Sequence, residues 1–321
     1  MASGVTFYTV SPCSGQRLAP LGQLASLTRM GLASQPCRSR AAAAVELNRW
    51  AAQDTRTLID GKGLLMKTSS SSGVNGLTRT LVAINKYMSE DFLGGPKVLR
   101  WAWVINFQKL LTPVYIALLM YWFSNYATVA WVYLALHGTY SLCWLLKHVA
   151  FPDASWEKKV TFGGAAMILA ILLLYWAFPY LLISGVLGPD HAAPSNALLT
   201  FCISLHTFGV VIMIASDAQK HFTLKYRPGL INEGMFKYTR NPNYLGEMML
   251  YAAYALLVQH WIAWTILIGV WLVIFLPNML SKDLSLSRHQ GWEAYRARSG
   301  MILPWPFTSA ILRNTKPDDA A

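Results

Sequence analysis

The chain has 321 residues, of which 54% are hydrophobic and only 13% charged, with a formal net charge of +12. A soluble domain carries about 25% charged residues, so a soluble globular enzyme is excluded as a description of the whole chain. The basic excess does not imply nucleic acid, because it sits in the N-terminal region and in connections beside apolar segments, where a membrane-side bias accounts for it. The four cysteines (Cys13, Cys37, Cys143 and Cys202) form no close-spaced pair, so neither a disulfide framework nor a metal site is implied.

Residues 1–45 hold no acidic residue and carry Arg17, Arg29, Arg38 and Arg40 among Ser, Ala, Leu and Gln. That composition fits an organellar transit peptide, and equally a basic disordered tail. A Ser- and Gly-rich stretch at 68–76 reads as a linker, and 77–93 as an amphipathic helix on a membrane surface. The expected division is a basic N-terminal region over 1–76, a transmembrane domain over 77–305 and a tail over 306–321.

Six apolar segments follow, near 103–123, 127–146, 160–185, 196–216, 244–258 and 261–280. Each approaches the roughly 20 residues that cross a hydrocarbon core as a helix. Lipid cannot satisfy an unpaired backbone, so the predicted fold is an all-α polytopic membrane bundle of about six transmembrane helices. Gln259 and His260 alone separate the last two segments, which predicts a tight helical hairpin or, in competition, one long helix. The connections 147–159 and 217–243 and the C-terminal segment carry the Lys and Arg residues, whereas those around Ser124 and through Gly188–Ser195 carry none. Six spans bring every basic segment, and both termini, to one face, which the positive-inside rule makes cytosolic, stromal or matrix.

Chemistry concentrates in two places. The stretch from Ser216 to Glu247 is polar and runs directly into an apolar helix. Glu247 lies about one turn inside that helix, where a carboxylate is a functional candidate by default, or else an interface charge at headgroup level. Glu247, Tyr251 and Tyr254 share a helix face. On the second span His137, Tyr140, Trp144 and Lys147 also share a face. Tyr140 and His137 are candidate proton donors to a substrate carbonyl, and the competing reading is an interfacial aromatic belt with Lys147 snorkelling. His206, alone within the fourth span, reads as a packed polar residue.

The run GMFKYTRNPNYLGE over 234–247 resembles the signature of the steroid 5-alpha-reductase C-terminal family, G-L-(W/F)-x-Y-(S/T)-R-H-P-N-Y-x-G-E, with Asn241 where His is usual. The segment 285–305 is similar to that family's ending, in which a Tyr precedes a short basic stretch and a hydrophobic-Pro pair; together with Asp217 the resemblance covers about 200–305. It implies an endoplasmic-reticulum enzyme, or a plastid or mitochondrial one if the N-terminus is a transit peptide. The implied cofactor is NADPH, held by Asp217, Arg240, Asn243, Tyr244 and Glu247, with Arg288 among the cations available to its phosphates. The implied partners are the bilayer and a hydrophobic small molecule of sterol or isoprenoid type, whose activated double bond is reduced. No G-x-G-x-x-G fingerprint is present, so a Rossmann site is not indicated.

A second reading is an S-adenosylmethionine-dependent methyltransferase of the isoprenylcysteine or phospholipid type, whose C-terminal architecture is related. Glu247 after Gly246 favours the reductase, since the methyltransferases usually carry an aromatic there. Lys282-Asp283 also stands where they carry an adjacent Glu pair. A third reading is a non-catalytic membrane protein that retains the fold.

Overall fold

The computed structural model describes residues 72–188 and 191–304. The transit-peptide reading, residues 68–71 of the expected linker and the 306–321 tail lie outside these residues; residues 72–76, expected as linker, are instead the first turn and more of a helix. All the described residues belong to a unit spanning Thr68–Ala321.

The architecture is helical. Helix α1 (Ser72–Lys86) passes through a π-helical turn (Tyr87–Asp91) to a short strand β1 (Leu99–Arg100). Helices α2 (Trp101–Trp122) and α3 (Thr128–Ala150) follow, then a 3-10 turn (Ala154–Glu157) and β2 (Lys159–Val160). Helix α4 (Phe162–Leu173) continues through a 3-10 turn into α5 (Ala177–Ile183), and α6 runs over Asn196–Tyr226. The last elements are α7 (Pro242–Val258), α8 (Trp261–Val270), a π turn (Trp271–Phe275), α9 (Leu276–Leu286) and α10 (Trp292–Arg298). Strand β1 pairs antiparallel with β2, Leu99 against Val160, which pins the entry of α2 to the connection after α3.

Among the described residues, five helical stretches are long and apolar enough to cross a membrane: Trp101–Trp122, Thr128–Ala150, Phe162–Ile183, Asn196–Tyr226 and Trp261–Leu286. This is a multi-pass membrane protein. The sixth apolar segment, α7, has 17 residues, about 25 Å of helix. Pro242 stands in its first turn, where its missing N–H leaves no bond unmade, and Gln259 ends it in the left-handed conformation with φ 51°. His260 then caps α8 by accepting from Ile262 N. The chain turns there as a hairpin rather than continuing as one helix. Leu250, Ala253, Tyr254, Leu257 and Val258 are fully buried, so α7 is enclosed by its neighbours.

Hydrogen bonds mark the two ends of the bundle. At one, Asn125 Nδ2 donates to Ile183 O at 2.9 Å and Gln259 Nε2 to Ala192 O at 3.0 Å. At the other, Arg100 meets Glu157 at 3.0 Å, Lys220 meets Asp153 at 2.9 Å and Arg240 meets Asp283 at 3.0 Å. The first end has no Lys or Arg in its connections. The second gathers the basic segments, as the helix directions require.

Asp153 ties this basic end together. It accepts from Ser155 N at 2.9 Å and from Lys220 Nζ at 2.9 Å. Burial alone would push its carboxyl up, but the Lys220 ammonium and the Ser155 hydrogen bonds outweigh that and hold it well below the usual carboxylate range. A depressed carboxylate contributes stability above its unfolded pKa of about 3.9 and loses it as pH falls through the lower folded value. Asp153→Asn is therefore expected to destabilise by about 1–2 kcal/mol near neutral pH, discounted because Lys220 is about a third exposed. Thermal unfolding in detergent should show the gap between variant and parent closing only well below pH ~4.

Helices α6 and α7 form the closest seam. A Cβ added at Gly246 would lie 2.5 Å from Gly209 O and 2.6 Å from Met213 N; one at Gly209 would lie 2.6 Å from Gly246 O. Small residues that let helix backbones touch are the usual device where lipid supplies no hydrophobic drive. Because the obstructing atoms are backbone, Gly246→Ala is expected to destabilise by about 1–3 kcal/mol through overpacking. Gly269→Ala meets nothing within 4 Å and should leave the melting temperature unchanged or raise it. Equal melting temperatures for Gly246→Ala and its parent would show that the seam has slack.

Candidate functional site

The α6–α7 seam sets the register of Asp217 and Glu247, and both face a cavity of about 410 Å³ inside the basic end of the bundle. The cavity has two unlike walls. An apolar one comes from Val82, Ile168, Ile171, Leu172, Val270, Ile274 and Phe275, on α1, α4 and the α8–α9 helix. A second group, from α2, α3, α6 and α7, carries Lys109, Tyr140, Lys147, Asp217, Asn243, Glu247 and Tyr251.

The polar wall is built around two buried lysines. Lys109, 3% exposed, donates from Nζ to Tyr251 Oη at 3.1 Å and sits 4.3 Å from the centre of the Tyr140 ring. Tyr251 packs edge-on against Tyr140 at 5.8 Å and stacks on Tyr175 at 4.2 Å. The Tyr140 and Tyr251 hydroxyls lie within hydrogen-bonding reach of each other. Lys147 pairs with Asp217 and lies 4.5 Å from the Trp144 ring centre. Glu247 has Lys147, Asp217 and Lys109 as its charged neighbours. Two lysines and two acidic side chains thus meet in this buried wall, where a charge without a partner would be costly. Asn243 Oδ1 is buried without a hydrogen-bond partner, although the residue lines the cavity. Such an orphaned acceptor calls for a ligand or water.

The expected site residues separate into three groups. Tyr140, Asp217, Asn243, Tyr244 and Glu247 all line the cavity. His137 does not: it lies deeper, with Nδ1 3.3 Å from Tyr133 Oη and its ring stacked on Tyr254 at 4.5 Å. Tyr254 in turn meets His206 Nε2 at 3.0 Å. Arg240 and Arg288 are also away from the cavity. The Arg240 fork bonds Asp283 and Ser299 O, and its backbone N donates to Gly300 O at 2.9 Å. Arg288 is exposed in the turn between α9 and α10.

The 234–247 motif therefore does two jobs. Its first half docks the C-terminal segment: Thr239 Oγ1 donates to Ile302 O at 2.8 Å and Asn241 Nδ2 to Met301 O at 3.0 Å. Tyr295 Oη closes the same dock by donating to Phe236 O at 2.8 Å, and burial, first of several influences, pushes its phenol up to about 12. The second half supplies Asn243, Tyr244 and Glu247 to the cavity.

Lys109, Tyr175 and Glu90 are among the cavity residues that sequence reasoning does not single out. A signal for Lys109 exists, since a lone charge within an apolar span marks a site by the same logic that marks Glu247. Nothing local signals Tyr175 or Glu90.

A family model described as "Protein of unknown function (DUF1295)" matches residues 99–298. The chain belongs to the DUF1295 family. No match was found among curated proteins. The DUF1295 match holds the whole polar wall and the docking half of the motif. It leaves out Val82, Asn85, Met88, Ser89 and Glu90, which border the same cavity from the N-terminal side.

Proposed function

We propose that this DUF1295 protein is a membrane-embedded, NADPH-dependent reductase of an activated double bond in a hydrophobic, sterol- or isoprenoid-like substrate. The observation that carries the reading is the two-walled cavity. One side suits an apolar body, and the other presents a hydroxyl pair backed by a buried ammonium. The resemblance of 234–247 to the steroid 5-alpha-reductase signature supports it, as does the convergence of that motif's second half on the cavity.

The residues present fit the nicotinamide end of such a cofactor. Asn243, with its orphaned carbonyl oxygen, can accept from a carboxamide, and the Glu247 carboxylate can take ribose hydroxyls. Lys86 and Lys158 at the cavity's edge suit phosphate oxygens. When bound, the cofactor supplies the hydride, which is delivered to the β-carbon of the conjugated bond. Tyr140 hydrogen-bonds the substrate carbonyl, draws charge onto its oxygen and provides the proton that completes the reduction. The phenolate left behind is stabilised by the Lys109 ammonium over its ring and through Tyr251, which passes a proton from Lys109 to restore the phenol. Trp144, Tyr175 and the apolar wall exclude water. By the distribution of charge, the basic end faces the cytosol, stroma or matrix.

Thermal stability of the detergent-purified chain tests the class directly. NADPH at about 100-fold over its dissociation constant should stabilise by about 2.7 kcal/mol, and S-adenosylmethionine should not. Glu247→Gln, which keeps shape and removes charge, should weaken NADPH binding about tenfold, the loss of one charged hydrogen bond. Stabilisation by S-adenosylmethionine alone would overturn the reductase and move the function to methyl transfer.

A further inference from the structure

Helix α1 is two-faced. Thr78, Leu81, Val82 and Asn85 turn inward at helical spacing, while Leu77, Ile84 and Tyr87 are more than half exposed along another stripe. The inward residues Val82 and Asn85, with Met88, Ser89 and Glu90 of the π turn, border the cavity. The outward apolar stripe suits contact with lipid.

The two ends of this segment are held very differently. Around the π turn the chain is clamped to the start of α4. Thr161 N donates to Glu90 O at 3.1 Å and Thr161 Oγ1 to Phe92 O at 2.9 Å. A Cβ on Gly163 would lie 2.2 Å from Phe92 O, and one on Gly164 2.6 Å from Ser89 O. Two glycines are therefore needed for this approach. By contrast, Asn85 supplies the one hydrogen bond from α1 to another element among the described residues, donating at 2.8 Å to Val273 O in the second π turn. π turns free a backbone carbonyl from the regular ladder and recur at functional sites.

We propose that α1 and the π turn after it form a hinged cover, and that Val82, Asn85 and Met88 on its inner side select the apolar tail of the substrate. The clamp at 89–92 is the fixed end, and the Asn85–Val273 contact is the latch. A substrate places its reacting group on Tyr140 and lays its tail between Val82 and Met88 on one side and Ile168, Leu172 and Ile274 on the other. Lifting the latch opens the seam between α1 and α9 for a molecule arriving from the bilayer. The cover lies outside the span matched by the DUF1295 model, so tail preference is set apart from the reacting machinery. The identity of the reacting group rests on the reductase reading, but the selection of the tail does not.

The test uses the full chain in detergent and a series of α,β-unsaturated ketones with saturated tails of graded length, read by thermal stabilisation alongside NADPH. In the parent protein each added methylene that reaches the apolar wall should tighten binding about fourfold until the wall ends. Val82→Trp and Met88→Trp should cut off this gain at shorter tails, leaving the longest ketones tenfold or more weaker, with NADPH stabilisation unchanged. Asn85→Ala should speed amide exchange over 76–86 and not over 89–92. Tail profiles identical in the parent and both Trp variants, or exchange over 76–86 unaltered by Asn85→Ala, would overturn the cover. Tail dependence that shifts as stated without any NADPH stabilisation would uphold the cover and remove the reductase.

Discussion

Lys147→Met is expected to lower stability by about 3–5 kcal/mol. The Lys147 and Asp217 side chains are 6% and 9% exposed. Methionine keeps the aliphatic reach across Trp144 but leaves Asp217 without its partner, next to Glu247. Removing one member of a buried pair strands the other's charge, whereas removing both can be nearly neutral. Lys147→Met combined with Asp217→Asn should therefore recover most of the loss. Denaturant unfolding of the two variants beside the parent checks this. A single variant as stable as the parent would show that the pair is hydrated rather than enclosed. A double variant no better than the single would place the loss in Lys147's packing and not in stranded charge.

What could be read from the sequence divides along the range of the interactions involved. The apolar segments announce themselves because lipid forces about 20 consecutive residues to satisfy their backbone internally. The hairpin at Gln259–His260 is readable for a similar reason, since two polar residues alone interrupt the run. Glu247 stands out against an apolar helix, and the structure puts it on the cavity. Arg240 was not legible in the same way. Its partners Asp283 and Ser299 are 43 and 59 residues further along the chain, and no local pattern distinguishes an arginine that holds a backbone from one that awaits a phosphate. Helical spacing puts His137 and Tyr140 on one face, yet Tyr140 borders the cavity and His137 lies behind it against Tyr133 and Tyr254. Their difference is depth along α3, which is fixed by where α7 crosses it rather than by spacing. The amphipathic reading of 77–93 finds one of α1's faces, the exposed stripe, but not the one that closes the cavity.

Tyr140→Phe is expected to reduce turnover by about two to four orders of magnitude, the range for a lost general acid, while NADPH affinity stays near that of the parent. The substitution removes one hydroxyl and almost no volume. The ring keeps its edge-on packing with Tyr251 and its place under Lys109, so the fold and the cofactor end should be undisturbed. On the proposed reading, the lost group is the donor to the substrate. Tyr251 stands next in line, and because it accepts from Lys109 at 3.1 Å its own proton stays free, so the residual turnover should run through it. The same geometry separates this variant from Glu247→Gln, whose defect should appear first in cofactor binding. Single-turnover measurements at saturating NADPH distinguish them: Tyr140→Phe should slow the chemical step itself, and Glu247→Gln should approach the parent rate once enough cofactor is supplied. Full turnover by Tyr140→Phe on a substrate that the parent reduces would return Tyr140 to a packing role, and Lys109 acting through Tyr251 would then be the donor to examine.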